Sequence, residues 1–279
     1  MEQHFNTPSE VIDTNMKAGE GKAHLPLGKM ILLGIMAGAF IALGGATSST
    51  AAHAIDNVGL ARFVAGIIFP VGLMIIVFVG GELFTGNCLI VMDVVGKKVT
   101  WFECIRNLIV VYFSNLIGAL IIDTLIYFSG NLDYTGGLLG AYAIKVAVGK
   151  VGISPLKGIT SGILCNILVC IAILMAVAAT DIVGKVWAIF FPIMAFVVGG
   201  FEHCVANMYY IPAGIFASMN ADYVAKAKEL YGITESQIAS LNWGNFFLVN
   251  LLPVTIGNII GGGFIIGGLF FYLHGKNCK

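Results

Sequence analysis

Residues 69–87 read FPVGLMIIVFVGGELFTGN, and residues 191–207 read FPIMAFVVGGFEHCVAN. Each segment begins with Phe-Pro and runs through apolar residues to a Gly-Gly pair, after which a glutamate stands five residues before an asparagine. These polar pairs are Glu82 with Asn87 and Glu202 with Asn207. In membrane proteins, hydrophobic segments that are interrupted at corresponding places in two halves of the chain indicate a central binding or permeation site.

The whole chain has the composition of a membrane protein. Of its 279 residues, 58% are hydrophobic and 11% are charged, and its mean hydropathy is +0.93, whereas soluble domains are about 25% charged. Six long stretches contain no Asp, Glu, Lys or Arg. The alternative of a soluble protein with one very large core does not explain six such stretches. They are residues 30–55, 63–81, 107–122, 158–180, 186–201 and 236–275. Because a bilayer crossing takes about 20 mostly apolar residues, we predict six spans, the second and fifth of which continue past a break.

The chain also repeats itself. Residues 107–118 (NLIVVYFSNLIG) align with residues 250–261 (NLLPVTIGNIIG) at six identical positions of twelve, and residues 29–35 (KMILLGI) align with residues 157–163 (KGITSGI) at four of seven. Spans one to three therefore match spans four to six. Because three is an odd number, the second copy must enter the membrane inverted, which brings the two breaks together at the midplane. We predict an all-α membrane protein with a 3+3 inverted repeat.

The regions outside the spans are short. We expect one transmembrane domain over residues 30–275, built from repeats 30–128 and 156–273, with residues 1–29 and 276–279 as cytoplasmic segments. With both termini in the cytoplasm, nine Lys and Arg residues would lie on that side and six on the other, as the positive-inside rule favours. Thr7-Pro-Ser-Glu10 has the form of a capping box and predicts a helix from about Pro8 to Ala18. This helix is either a plug for a pore or a surface anchor.

Few ionisable residues lie at the breaks. Glu202 and His203 form an adjacent ionisable pair in an otherwise uncharged stretch, and such groups usually face a pathway because they are costly in lipid. His203 changes its charge near neutral pH and can attract an anion or transfer a proton to it. The alternative is a neutral structural histidine bonded to Asn166 or Asn258. We expect Glu82 and Glu202, at equivalent repeat positions, to make structural hydrogen bonds rather than ligand contacts.

Other side chains near the breaks have two interpretations each. Thr85 either offers its hydroxyl to a permeant or caps a helix, and Lys150, in the Gly-rich segment before span four, either gathers anions or is merely solvated. Five apolar residues surround the breaks, where they either gate ions by dewetting or simply pack. They are Phe69, Leu73, Leu83, Phe84 and Phe196.

The sequence argues against an enzyme. Its six cysteines have no metal-ligand spacing, and five of them lie in or beside spans as expected for small packing residues. We find no nucleophile–base pair and no phosphate-binding loop, and we expect no metal site and no cofactor. Zero formal net charge gives no indication of a nucleic-acid partner.

Three motifs of this sequence resemble the formate/nitrite transporter family. They are GELFTGN at residues 81–87, GFEHCVANMYYIP at residues 200–212 and NLLPVTIGNIIGG at residues 250–262. The resemblance covers essentially the whole chain. It implies an aquaporin-like protomer with one pore, assembly as a homopentamer in the cell inner membrane, and selectivity for small monovalent anions of weak acids.

The resemblance also implies roles for individual residues. His203 would be the central pore histidine, Thr85 would lie on the loop that breaks span two, and Lys150 would be a vestibule lysine. The five apolar residues would form two hydrophobic constrictions. The supporting residues would be Glu82, Glu202, Asn166, Asn207 and Asn258, with Asn166 and Asn258 supporting the histidine.

One departure bears on the permeant. Formate-type members carry Ala-Asp-Leu-Phe-Thr-Ser where this chain has Gly-Glu-Leu-Phe-Thr-Gly, which favours the hydrosulfide-channel branch. We therefore expect passive conduction of hydrosulfide, with formate and nitrite as further permeants. The alternatives are proton-coupled formate/nitrite transport on the same fold and, from another class, a neutral-solute facilitator or an intramembrane enzyme.

Overall fold

The computed structural model describes residues 5–275 and is almost entirely helical. Within that range, the only β structure is an isolated bridge between Phe5 and Ala179. In chain order, the helices are α1 (Pro8–Ala23), α2 (Leu27–Ala52), α3 (Val58–Val79), α4 (Phe84–Val95), α5 (Trp101–Phe128), α6 (Tyr134–Val151), α7 (Pro155–Ala178), α8 (Ile182–Gly199), α9 (Cys204–Ala217), α10 (Ala221–Tyr231), α11 (Glu235–Ser240) and α12 (Trp243–His274). The expected tail at residues 276–279, and Cys278 with it, lies outside the described residues.

The six predicted spans are confirmed. Helices α2, α3, α5, α7, α8 and α12 are each long and apolar enough to cross a bilayer. The shorter apolar helices α4 and α9 follow directly after the interruptions that end α3 and α8. The second and fifth spans are therefore broken, as the Gly-Gly pairs predict.

Equivalent helix contacts in the two halves reveal the inverted repeat. A Cβ atom on Gly118 would overlap the carbonyl oxygen of Ile35, where α5 crosses α2. A Cβ atom on Gly261 would overlap the carbonyl oxygen of Ile163 in the same way, where α12 crosses α7. These four residues are equivalent pairs in the two aligned segments of the sequence. Only glycine permits this backbone approach. The first and third spans of each half are therefore packed together by the same close contact at a glycine.

Helix α1 lies across one end of the bundle. It begins at the capping box, where the Thr7 N–H donates to Glu10 Oε2 at 2.8 Å, and it extends beyond the expected end at Ala18 to Ala23. Ser9 Oγ donates to the carbonyl oxygen of His274 at 2.8 Å, which ties α1 to the end of α12. We call this side of the bundle the proximal face and the opposite side the distal face.

The distal face carries helices that the sequence analysis did not predict. The Gly-rich segment before span four forms α6, which opens with Thr135, Gly136 and Gly137 at φ values of 55°, 63° and 87°. Helices α10 and α11 precede span six, which begins at Trp243 rather than in the expected stretch from residue 236. Helix α12 includes two π-helical stretches, Phe246–Leu251 and Ile259–Gly268.

Candidate functional site

An asparagine side chain satisfies the backbone of the first break. Gly80 ends α3 at φ 106°, and the chain re-enters a helix at Phe84. Asn115, fully buried on α5, accepts the Phe84 N–H at 2.9 Å and donates to the carbonyl oxygens of Gly34 at 2.8 Å and Glu82 at 2.9 Å. The bonds to Phe84 and Glu82 replace helical partners that the interruption removes and that lipid cannot supply, and the bond to Gly34 ties the break to α2.

The second break has the same arrangement. Asn258 on α12 accepts the Cys204 N–H at 2.9 Å and donates to the carbonyl oxygens of Gly162 at 2.8 Å and Glu202 at 3.0 Å. Asn258 aligns with Asn115 in the repeats. Both asparagines therefore have the same structural task at pseudo-symmetric positions.

A polar cluster of four residues lies on the distal side of the second break. Lys150 Nζ lies 3.0 Å and 3.2 Å from the two carboxylate oxygens of Glu202. Asn207 Nδ2 donates to Glu202 Oε2 at 2.6 Å and to Asn250 Oδ1 at 2.7 Å, and Asn250 Nδ2 donates to the Lys150 carbonyl oxygen at 2.8 Å. Asn250 Nδ2 also lies 3.4 Å from Glu202 Oε2, so the Glu202 carboxylate is held by a lysine and two asparagines.

A matching cluster lies on the proximal side of the first break. Lys22 Nζ, from α1, lies 3.4 Å from Glu82 Oε1 and donates to Asn87 Oδ1 at 2.9 Å. Asn87 Nδ2 donates to Glu82 Oε2 at 2.6 Å and to Asn107 Oδ1 at 2.8 Å, and Asn107 Nδ2 donates to the Lys22 carbonyl oxygen at 3.0 Å. Lys22 is not among the site residues predicted from the sequence. The N-terminal helix therefore contributes a cation to the polar core of the bundle.

His203 and Thr85 meet between the two breaks. His203 Nδ1 accepts the Ala206 N–H at 2.9 Å, and His203 Nε2 lies 2.9 Å from Thr85 Oγ1. Because a backbone N–H can only donate, Nδ1 carries no proton, so the neutral ring bears its proton on Nε2 and donates to Thr85 Oγ1. The Thr85 hydroxyl proton then has no acceptor among residues 5–275. A donor is left free at the centre of the bundle.

The expected partners of His203 prove different. The His203 ring bonds Thr85 and the Ala206 N–H, and within the described chain neither Asn166 nor Asn258 bonds it, so the alternative of a histidine bonded directly to one of them does not hold. Their supporting role stays a prediction. Asn166 Nδ2 instead donates to the Thr85 carbonyl oxygen at 3.2 Å and to the Asn258 carbonyl oxygen at 2.7 Å. The physical reason is that the interrupted backbone uses both amides, while the ring is satisfied by its own helix end and by Thr85.

A cavity of about 610 Å³ opens on the distal face and reaches His203. Its inner wall contains Lys150, Glu202, His203, Asn207, Phe69 and Phe196. The Phe196 ring stacks on the His203 ring at 5.8 Å between centroids and meets the Phe69 ring edge-on at 5.4 Å. Phe69 and Phe196 thus narrow the inner end of the cavity beside the histidine. Thr85 is fully buried, one hydrogen bond further in.

The other apolar candidates lie beyond the cavity. Leu73, Leu83 and Phe84 are buried and do not line it. The Phe84 ring packs edge-on against Tyr112 with centroids 4.9 Å apart. The structure therefore brings together one aromatic pair on the distal side of His203, and it places the remaining three side chains in the core near the first break.

The cysteines show no sign of metal binding. Cys88, Cys104, Cys165, Cys170 and Cys204 are buried free thiols. Within residues 5–275, no group of three or more His, Cys, Asp or Glu side chains is arranged to hold a metal ion.

Comparison with known proteins agrees with this geometry. The "Probable formate transporter" of Methanothermobacter thermautotrophicus is 36% identical over 294 aligned residues, which cover 99% of this chain and 100% of that protein. A solved structure described as "Pentameric formate channel with formate bound" is 35% identical, has a TM-score of 0.79, and is matched over 98% of its chain and 90% of this one.

The protomer fold extends to more distant proteins. The X-ray structure of the aquaglyceroporin from Plasmodium falciparum has a TM-score of 0.50 at 13% identity, over 88% of this chain and 99% of that one, which supports the aquaporin-like fold alone. The family model described as "Formate/nitrite transporter" matches residues 9–272. This is a family of transporters and channels, not of enzymes. The chain is a multi-pass membrane protein and belongs to the formate/nitrite transporter family.

Proposed function

We propose that this protein is a channel that passively conducts small monovalent anions of weak acids through the middle of each protomer. The observation that carries the proposal is the hydrogen-bonded pair of His203 and Thr85 at the inner end of a cavity whose wall contains Lys150. Lys150 presents an N–H donor and Thr85 an O–H donor, while His203 donates its N–H to the Thr85 oxygen. Donors are what an anion needs when it loses its water.

The donors act in sequence along the path. Lys150 meets the anion in the cavity while Glu202 holds the ammonium in place. The Thr85 hydroxyl then donates to the anion, and its oxygen accepts from His203 Nε2. Because the hydroxyl accepts a hydrogen bond while it donates one, the two bonds polarise each other and strengthen the donor.

Apolar side chains set the size of the permeant. Phe69 and Phe196 form the distal constriction, and Leu73, Leu83 and Phe84 form the second constriction beyond His203. Such walls dewet when no permeant is present and admit only ions that shed most of their water. Small anions of weak acids fit this path best, because they can also cross as the neutral acid when protonated.

Protonation of His203 has a structural cost. A second proton on the ring must be placed on Nδ1, where it would displace the N–H of Ala206 in the first turn of α9. We therefore propose that the resting histidine is a neutral donor. Transient protonation, as the sequence analysis expects, requires the ring to release that helix end.

The relatives guide the choice of permeant and assembly. Names such as "Formate channel FocA" of Haemophilus influenzae, 36% identical over 269 residues, support formate as the first anion to test. The hydrosulfide preference expected from residues 81–87 remains a prediction, with nitrite as a third permeant. We further propose a homopentamer in the cell membrane with both termini in the cytoplasm, and a single transmembrane domain over residues 30–275.

Flux measurements in proteoliposomes test the proposal. We would compare formate, hydrosulfide, nitrite and chloride at stepped external pH, using the wild type and His203→Asn. Asparagine is a good N-cap, so this variant keeps the Ala206 partner and removes only the imidazole. Rapid downhill flux of the weak-acid anions that falls in His203→Asn supports the channel. Slow flux that runs uphill only with a proton gradient would instead indicate coupled transport, and unchanged flux and pH dependence in His203→Asn would refute the role of the histidine.

A further inference from the structure

The cavity contains more charges than the site beside His203 uses. Its ionic side chains are Arg62, Lys145, Lys150, Asp56 and Glu202. Lys150 and Glu202 form an ion pair with both carboxylate oxygens engaged, so together they contribute no net charge. Arg62, Lys145 and Asp56 make no ion pair in the part of the chain that the structure describes. Two unpaired cations therefore face one unpaired carboxylate, and the free charge of the cavity is positive.

Arg62 is anchored without being neutralised. It projects from α3, and its Nη1 donates to the Val198 carbonyl oxygen at 3.3 Å, near the end of α8. The guanidinium covers Gly200, where a Cβ atom would overlap it and where φ is 68°. A carbonyl partner fixes the guanidinium but leaves its full charge and most of its five donors available. Arg62 therefore presents a cation to the cavity beside Gly200, which stands two residues before Glu202 in the sequence.

Lys145 is held by aromatic rings. Its Nζ lies 4.4 Å from the centroid of the Tyr231 ring and 5.9 Å from that of the Tyr142 ring, and all three residues line the cavity. The face of an aromatic ring attracts an ammonium group but does not cancel its charge. Lys150 also lies over a ring, Tyr210 at 5.3 Å, yet its charge is balanced by Glu202. The two lysines of the cavity thus differ in the field that they project.

We infer that Arg62 and Lys145 form an outer anion-attracting site on the distal face, and that they rather than Lys150 supply the long-range attraction for the permeant. An unpaired charge in a cleft with low-dielectric walls raises the local concentration of counter-ions. The field of an ion pair falls off more steeply, so Lys150 acts only at contact. This inference rests on the proposed anion conduction.

Ionic strength distinguishes long-range attraction by Arg62 and Lys145 from direct contact by Lys150. The Debye length is about 10 Å at 0.1 M and about 30 Å at 0.01 M ionic strength. Attraction by Arg62 and Lys145 across the mouth must therefore disappear as salt rises, whereas a contact made by Lys150 in the narrow part of the path must persist.

The test is the initial rate of formate uptake and efflux, at formate concentrations far below saturation, in right-side-out membrane vesicles. All copies there share one orientation, and both solutions can be chosen. Arg62→Gln and Lys145→Gln are each expected to reduce the rate through the distal mouth by roughly three- to fivefold at 0.01 M ionic strength and by less than about 1.5-fold at 0.5 M. Lys145→Arg should keep the wild-type rate. Lys150→Gln should reduce the rate by a similar factor at both ionic strengths.

The matched control is Lys157→Gln, which removes an exposed lysine at the start of α7 that does not line the cavity. Rates are compared per amount of folded protein, measured by size-exclusion chromatography. If the wild type conducts formate but Arg62→Gln and Lys145→Gln match Lys157→Gln at low salt, or if their deficit is the same at both ionic strengths, the inference is overturned and the channel function stands. If wild-type vesicles move no more formate than vesicles without the protein, the conduction function fails, and the inference fails with it.

Discussion

Replacing Thr85 by valine tests the centre of the proposed path. The two side chains have nearly the same shape, so the change removes the hydroxyl that lies 2.9 Å from His203 Nε2 and little else. A hydrogen bond to a charged partner contributes about 1.5–3 kcal/mol. Because about 1.4 kcal/mol corresponds to a factor of ten, loss of this donor should reduce anion flux by roughly 10- to 150-fold.

The assay is stopped-flow formate flux into proteoliposomes, with Thr85→Ser and Thr255→Val as references. Thr85→Ser keeps the hydroxyl and should retain flux within about threefold of the wild type, which corresponds to less than 1 kcal/mol. Thr255→Val is the matched control, because it also removes a hydroxyl inside the bundle, one that lies 3.0 Å from the Tyr112 hydroxyl. Its flux should stay close to that of the wild type.

A measurement of the stability of Thr85→Val tests whether a lower flux merely reflects unfolding of the variant. The variant leaves one neutral donor, His203 Nε2–H, without its partner, which costs about 1–3 kcal/mol of folding free energy and should lower the unfolding temperature only modestly. Flux of Thr85→Val within twofold of the wild type would refute the argument that the hydroxyl serves the permeant. Equal losses in Thr85→Val and Thr255→Val would show that any buried hydroxyl matters and would refute it as well.

Three further outcomes follow from the polar scaffold. Asn258→Leu leaves the Cys204 N–H and the Glu202 carbonyl oxygen at the break without their partner, so it should destabilise the protein by about 2–6 kcal/mol, measured by chemical unfolding in detergent. A loss below about 1 kcal/mol would contradict this. Lys22→Gln leaves the Glu82 carboxylate without its cation but with Asn87, and because Lys22 is partly exposed the cost should be about 1–2 kcal/mol, seen as faster proteolysis within α1. The pKa of His24 is raised above 6.5, first by its hydrogen bond to the Glu20 carbonyl oxygen. The stabilisation from protonated His24 is therefore complete below pH 6.5 and lost as pH rises through the raised pKa, so the difference in melting temperature between wild type and His24→Gln should be larger at pH 5.5 than at pH 8.5.

Much of the fold could be predicted from the sequence because the bilayer imposes strong constraints. Long uncharged stretches have few alternatives to a spanning helix, and the Gly-Gly pairs mark the two breaks. The inverted repeat was visible because Asn107, Asn115 and their equivalents were identical in the aligned segments. What those asparagines bond to could not be predicted, since their partners are backbone groups and asparagine side chains from other segments that approach only in three dimensions.

Lys22 could have been found. It stands seven residues before Lys29, as Lys150 stands seven residues before Lys157, so extending the aligned segments backwards identifies it as the counterpart of Lys150. The signal is easily missed, because Lys22 lies in the N-terminal segment ahead of the aligned residues 29–35. The tautomer of His203 also had a local signal, because a polar side chain directly before a helix commonly accepts the N–H three residues later.

The function nevertheless depends on where the two halves differ. By the register that equates Glu82 with Glu202, the position of His203 holds Leu83 in the first half, and the position of Thr85 holds Val205 in the second. The hydrogen bond between His203 and Thr85 therefore joins non-equivalent positions across the pseudo-two-fold axis. Two identical halves would have either two histidines or two leucines at the positions of Leu83 and His203. The repeat supplies the two breaks and the asparagines that hold them, whereas the pair of Thr85 and His203 takes one residue from each half, at positions where the other half has Val205 and Leu83.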